Sequence, residues 1–291
     1  MSSEAPAPTV RTLRDATAAV LARAGVPDPE VDAELLVGHV LGVSRGRVQA
    51  LAVMGEEVSA DDAARLREYT ERRAAREPLQ HITGVAPFRS LELAVGPGVF
   101  VPRPETEQVA QFAIDALRAV PSPEPVAVDL GTGSGAIAIA LATEVPHARV
   151  FAVENSPEAF VWARGNIEAS GATNLRAVFI DLADALPELD GTVDVVISNP
   201  PYVPDDAIPR DPEVRLHDPA AALYGGPDGL DVVRIISGVA RRLLRPGGTL
   251  VLEHGELQGA QIRDLLTADG WRSAATQRDL TTRDRATTAV R

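Results

Sequence analysis

The stretch VAVDLGTGSGAIAIALA, residues 126–142, decides the fold. Its opening, VAVDL (126–130), suits a buried strand with Asp129 near the end. Gly131, Gly133 and Gly135 follow, and residues 136–144 read as a helix. Glycines at a strand-to-helix turn let the backbone approach a ligand closely. The spacing is GxGxG, where dinucleotide folds carry GxGxxG. Glu154 ends the next strand, RVFAVE (149–154), about twenty residues after the loop, where an acid can accept hydrogen bonds from ribose hydroxyls. A tight turn without ligand and an NAD site are the alternatives. The phosphate-loop pattern ending in Lys-Ser/Thr is absent, which disfavours ATP.

Working outward, strands and helices alternate from Pro125 onward, as in a parallel sheet covered on both faces. A helix over 157–170 is followed by strands at 174–180 and 193–198. After an irregular insertion come a helix at 229–244, a strand at 248–254 and a helix at 256–268. Two short strands with a turn near Thr281–Asp284 close the chain and cap the sheet edge. Phe160 and Trp162 fall at helical positions and read as core.

Upstream, residues 10–75 carry a helical pattern of three segments, with Asp28 and Ser59 as N-caps. Arg65, Arg67, Arg72, Arg73 and Arg76 surround the last helix and read as a solvated face, a docking surface being the alternative. Residues 1–9, small and proline-rich, read as disordered. PLQHITGVAPFRSLELAVGPGVFVPRP (78–104) has the punctuation of a hairpin connector. The expected divisions are a helical domain over 1–76, a hairpin linker over 77–104 and a catalytic domain over 105–291.

The totals narrow the possibilities. A net charge of −13 argues against a broad nucleic-acid footprint, which needs a basic face. No cysteine is present, so disulfides, thiolate metal sites and cysteine nucleophiles are excluded. His39, His81, His147, His217 and His254 form no i, i+4 ligand pair, and no metal is expected. The N-terminus lacks a signal-peptide pattern and no apolar run is long enough to span a bilayer, so the expectation is a cytoplasmic protein without membrane contact.

VVISNPPYVP (195–204) carries the second piece of chemistry. Its strand ends in Asn199, Pro200, Pro201 and Tyr202, at the edge where open α/β sheets bind ligands. Two prolines remove backbone donors and hold the chain extended. The corner therefore offers carbonyl acceptors and a side-chain amide to a planar NH2 group, with Tyr202 able to stack on it.

DLGTGSGAIAIA followed by an acidic strand end resembles the class I S-adenosylmethionine-dependent methyltransferases. That resemblance implies a Rossmann-like, seven-stranded, mostly parallel sheet. It implies cofactor contacts from Asp129, Gly131, Thr132, Gly133, Ser134, Gly135, Glu154, Asp181, Leu182 and Asn199. Here Glu154 would hold the ribose, while Asp181 would face the adenine amino group with Leu182 beside the ring. Helix capping is the alternative for Asp181. Asn-Pro-Pro-Tyr resembles the signature of amino-group methyltransferases acting on adenine N6, guanine N2 or glutamine N5.

GVFVPRPETE (98–107), REPLQHITG (76–84), LYGGPDGLDVVRII (223–236), LEHG (252–255) and DLTTRDR narrow this choice. Together with NPPY they resemble the bacterial release-factor glutamine methyltransferases, the HemK/PrmC family, over nearly the whole chain. The implied substrate is the glutamine of the Gly-Gly-Gln motif in class I peptide chain release factors, docked by the N-terminal helices. Asn199, Pro200 and Tyr202 would be catalytic. Phe100, Pro102, Arg103, Pro104, Glu105, Asn199, Pro200, Pro201 and Tyr202 would bind substrate, a local Arg103–Glu105 ion pair being the alternative for those two. A ribosomal-protein glutamine is the nearest rival substrate, and a nucleic-acid amino group the next. Two positions depart from the family pattern: Leu182 stands where relatives commonly have an aromatic residue, and Thr282 near a usual glycine.

Overall fold

The computed structural model describes residues 7–291. Residues 1–6, most of the stretch expected to be disordered, lie outside the described residues. Pro8 and Thr9 correct that expectation at its end. The Pro8 carbonyl accepts from the Val58 amide at 2.8 Å, and Thr9 forms a capping box with Thr12.

The first elements are α1 (Val10–Arg23), α2 (Pro29–Leu41), α3 (Arg45–Met54), α4 (Ala60–Ala74) and α5 (Leu79–Thr83). A hairpin follows, β1 (Val85–Phe88) and β2 (Leu91–Ala94), then α6 (Pro104–Arg118). Next come β3 (Val126–Leu130), α7 (Ala136–Glu144), β4 (Arg149–Glu154), α8 (Pro157–Ser170), β5 (Leu175–Phe179) and β6 (Val193–Ser198). Two short helices, α9 (Pro212–His217) and α10 (Ala220–Leu223), occupy the insertion. The chain ends with α11 (Asp231–Leu243), β7 (Leu244–Glu253), α12 (Gly259–Ala268), β8 (Arg272–Arg278) and β9 (Asp284–Val290).

Two compact units emerge. One comprises the described residues up to Gly84 together with Arg210–His217. Three of its helices, α1, α3 and α4, start at side-chain caps, with Ser44 and Ser59 accepting from the amides of Arg47 and Asp62. Gly42 and Gly55 end α2 and α3 in the left-handed conformation. Asp28 occupies the N-cap of α2 without a side-chain hydrogen bond. Leu21, Leu36, Val48, Leu66 and Ile82 meet in the core.

The arginines of α4 do not form one solvated face. Arg65 is exposed, but Arg73 is buried and bonds Asp32 at 2.7 Å and Glu213 of α9 at 2.6 Å. Arg76 reaches the other oxygen of Glu213, also at 2.6 Å, and the Gly25 carbonyl. Glu213 is itself buried. Burial favours its neutral form, but hydrogen bonds involving Asp211, Arg76 and Arg73 outweigh that and hold its carboxyl down at about 2.

The second unit, Val85–Pro209 with Asp218–Arg291, contains the hairpin and a seven-stranded sheet. Strand order is β5-β4-β3-β6-β7-β9-β8. The first five are parallel, β9 runs antiparallel to β7, and β8 pairs antiparallel with β9 at the end. Residues alternate between two apolar layers. Ala127, Val195 and Ile197 join α6 and α7, while Val128, Val196 and Leu250 join α11 and α12. Burial on both faces explains why β3 and β6 are apolar apart from Asp129, Asp194 and Ser198. α6 was not anticipated from the sequence. Phe160 and Trp162 are half-buried, Phe160 against Phe179 and Trp162 bonding the Pro97 carbonyl, so neither lies in the central core.

Candidate functional site

The parallel strands end on one edge. In sheet order that edge carries Asp181 after β5, Glu154 at the end of β4, the glycine loop after β3, Asn199 after β6 and Glu253 closing β7. The order reverses at β3, whose loop precedes α7, so the topology places a ligand site there.

The loop is built by its glycines. Gly131, Gly133 and Gly135 have φ of 75°, 58° and 88°, a region that penalises side chains. Nothing stands within 4 Å of where a Cβ would project from Gly131 or Gly133, so the loop's outer face is bare. Gly135 instead faces Ile139 and Ala163, where a Cβ would sit 3.3 Å from the Ile139 side chain. The Gly131 and Thr132 amides both donate to the Val153 carbonyl at 2.9 Å. Below, Asp129 is completely buried and accepts from the Thr132 hydroxyl at 2.6 Å. Burial pushes its carboxyl up to about 7, against the Thr132 and Ala138 hydrogen bonds.

Glu154 aims across the loop. One carboxylate oxygen accepts from the Gly133 amide at 2.8 Å, and the other from the Asn155 and Ser156 amides at 2.9 and 2.8 Å. Asp181 caps a short 3-10 turn through the Ala183 amide and also accepts from the Asn155 side chain at 3.1 Å. Leu182 packs half-buried against the apolar layer. Asn166 of α8 donates to both the Ser134 carbonyl of the loop and the Ala94 carbonyl of β2, at 2.9 Å each. Sequence reasoning assigned Asn166 nothing, because a single mid-helix asparagine carries no signal.

On the other side of β3, Ser198 ties the end of β6 to the Leu130 carbonyl at 2.6 Å. Asn199 is half-buried, and its Nδ2 donates to the Thr106 hydroxyl at 3.5 Å. The corner beyond it is backed tightly. The Tyr202 carbonyl accepts from Gln258 at 2.9 Å, and the Val203 carbonyl from the Gly225 amide at 2.9 Å. A Cβ on Gly229 would lie 2.3 Å from the Tyr202 carbonyl, and one on Gly225 2.5 Å from that of Pro201. Burial, reinforced by the Glu253 charge, raises the Tyr202 phenol to about 12 and keeps it neutral.

The 98–107 segment approaches the same corner. The Arg103 guanidinium lies 5.0 Å from the Phe100 ring centroid and pairs with Asp218 at 2.8 Å. Its ion-pair partner is thus Asp218, not the neighbouring Glu105. Pro104 and Glu105 open α6, where Arg103 is the N-cap position. Thr106 is buried and donates to Glu253 Oε1 at 3.1 Å.

Among solved structures the chain resembles a methyltransferase from Pyrococcus furiosus, at a TM-score of 0.52 and 21% identity, over 80% of this chain and 98% of that one. The fold is that of the class I methyltransferases. A family model of the PrmC N-terminal domain matches residues 12–84, and one of the methyltransferase small domain matches residues 90–220. A release factor glutamine methyltransferase from Streptomyces coelicolor is 53% identical, covering 92% of this chain and 93% of its own. Its counterpart from Mycolicibacterium smegmatis is 47% identical, over 97% and 98%. The chain belongs to the release factor glutamine methyltransferase family.

Proposed function

We propose that the protein transfers a methyl group from S-adenosylmethionine to N5 of the glutamine in the Gly-Gly-Gln motif of class I peptide chain release factors, leaving S-adenosylhomocysteine. The near full-length relationship to release factor glutamine methyltransferases carries this reading. The bare glycine loop, one strand from the Asn-Pro-Pro-Tyr corner, supports it.

The residues fit the cofactor. Gly131, Thr132, Gly133, Ser134 and Gly135 offer an open backbone cradle for its methionine end. Glu154, fixed by three backbone donors, retains acceptor capacity for ribose hydroxyls. Asp181 and Leu182 stand at the adenine side. Asp129, expected among the contacts, is completely buried, so its part is to hold Thr132 and the loop. The bound cofactor supplies a methyl group activated by its sulfonium.

The corner positions the amide. Asn199 and the Pro200 carbonyl accept from the glutamine NH2, and Tyr202 packs on its plane. These acceptors become more favourable as positive charge develops on nitrogen, and the proton leaves late. Phe100, Pro102, Pro104, Glu105 and Pro201 line the glutamine pocket. Arg103, held by Asp218, braces that wall. The helical unit docks the release factor, and the protein works in the cytoplasm. No helix among the described residues is long and apolar enough to cross a membrane.

Labelled S-adenosylmethionine, offered with release factor, ribosomal protein or DNA, should label only the Gly-Gly-Gln glutamine, located by mass spectrometry. Label on DNA and none on release factor refutes the assignment. Full activity in Asn199→Ala removes the corner from the mechanism.

A further inference from the structure

We infer that Thr106 and Glu253 form a hydrogen-bond relay that orients the Asn199 side chain, turning its oxygen toward the substrate amide. The inference rests on the role proposed for Asn199. Three elements bring the relay together: Thr106 stands in the first turn of α6, Glu253 ends β7 and Asn199 follows β6. Glu253 is 1% exposed, and its Oε2 has no hydrogen-bond partner among the described residues. A buried carboxylate so poorly satisfied is costly, and the glycine cradle and the corner make no use of it.

The direction of the relay follows from proton counting. A threonine hydroxyl has one proton. An ionised Glu253 only accepts, so Thr106 spends its proton there, at 3.1 Å. The Thr106 oxygen then has only lone pairs for Asn199, at 3.5 Å, and the amide must face it with NH2. Asn199 Oδ1 is left pointing away, as an acceptor for the substrate NH2. A protonated Glu253 reverses every step. It donates to Thr106, Thr106 donates to Asn199, and the Asn199 NH2 is turned against the substrate NH2.

The surroundings place this reversal in an accessible range. Burial raises Glu253 to about 8, with Glu105 on α6 adding to the rise and Thr106 and Arg285 on β9 opposing it. Tyr202 also faces this cluster and stays neutral. The adjacent His254 turns its ring to Thr287 and the Gly255 carbonyl, both at 2.9 Å. Turnover should therefore rise as Glu253 ionises.

The test uses the full chain with release factor and S-adenosylmethionine. Thr106→Val should lower kcat by roughly tenfold or more, with the cofactor Kd within about twofold of wild type and KM for release factor within about threefold. Thr106→Ser should recover most of the loss. Wild-type kcat should rise with a midpoint near pH 8, the value to which burial raises Glu253. Glu253→Gln should be slow and should lack the inflection near pH 8. An unpaired buried acceptor costs less than an unpaired donor, so the glutamine NH2 turns to Thr106 and mimics the acid form. The Asn199 side-chain nitrogen signal should shift across the same range in wild type and not in Thr106→Val. Wild-type kcat in Thr106→Val, or an inflection near pH 8 surviving in Glu253→Gln, overturns the relay. Failure of the wild type to methylate release factor refutes the proposed function instead, while the nitrogen signal still judges the relay.

Discussion

Glu213→Gln tests whether a segment encoded between β6 and β7 is held by the helical unit through a buried charge cluster. The carboxyl is held at about 2 against an ordinary 4.5. At ~1.4 kcal/mol per pH unit, that difference of roughly 2.5 units corresponds to about 3 kcal/mol of preferential stabilisation. Breaking a buried pair by removing one partner costs ~3–5 kcal/mol, a similar figure reached independently. The sign is that of a depressed carboxyl. The contribution is complete above about pH 4.5 and is lost as pH falls toward 2. Hydrogen exchange read at residues 210–217 reports the local opening. At pH 7 the variant should exchange there on the order of 100-fold faster than wild type, with β3 and β6 unchanged. Wild-type protection, corrected for intrinsic rate, should decay on acidification, and the variant should lack that step. Exchange within about threefold of wild type at pH 7 would refute the assignment of this stabilisation to Glu213.

Gly133→Ala places a Cβ where φ is 58° but space is open, so cofactor affinity, measured by calorimetry, should fall while the fold persists at a cost of about 1 kcal/mol. Thr282→Gly relieves a β-branched residue at φ 68° and should raise the melting temperature by a few degrees, with activity unchanged. Tyr202→Phe should leave the alkaline side of the pH–rate profile unchanged up to about pH 10, because the wild-type phenol titrates only near 12.

Much of the catalytic unit was legible because burial leaves marks. β3, β4 and β6 are mostly apolar runs between turn residues, and the helices at 136–144 and 157–170 have the bounds their periodicity suggests. α6 escaped because its Pro-rich start reads as a continuation of the connector, although Val109, Ala113 and Leu117 keep helical spacing. The bonded arginines of α4 could not be read locally, since Glu213 lies 140 positions beyond Arg73. Within the site, loops and strand ends announced Gly131, Glu154 and Asn199. Thr106 and Asn166 act through tertiary hydrogen bonds that leave no pattern along the chain. Glu253 did leave one, an acid closing an apolar strand, as Glu154 also does.

The backing of the proline corner limits how such an enzyme can diverge. Gly225 and Gly229 press so close to the Pro201 and Tyr202 carbonyls that any side chain there would collide with backbone. Inherited variation cannot reshape the corner from behind without dismantling it. Drift toward another amide-bearing target has to be written into the less buried positions of the facing 98–107 segment, such as Pro104 and Glu105, since Val99, Val101 and Thr106 are themselves buried. One wall is frozen by its glycines, and selectivity evolves on the other.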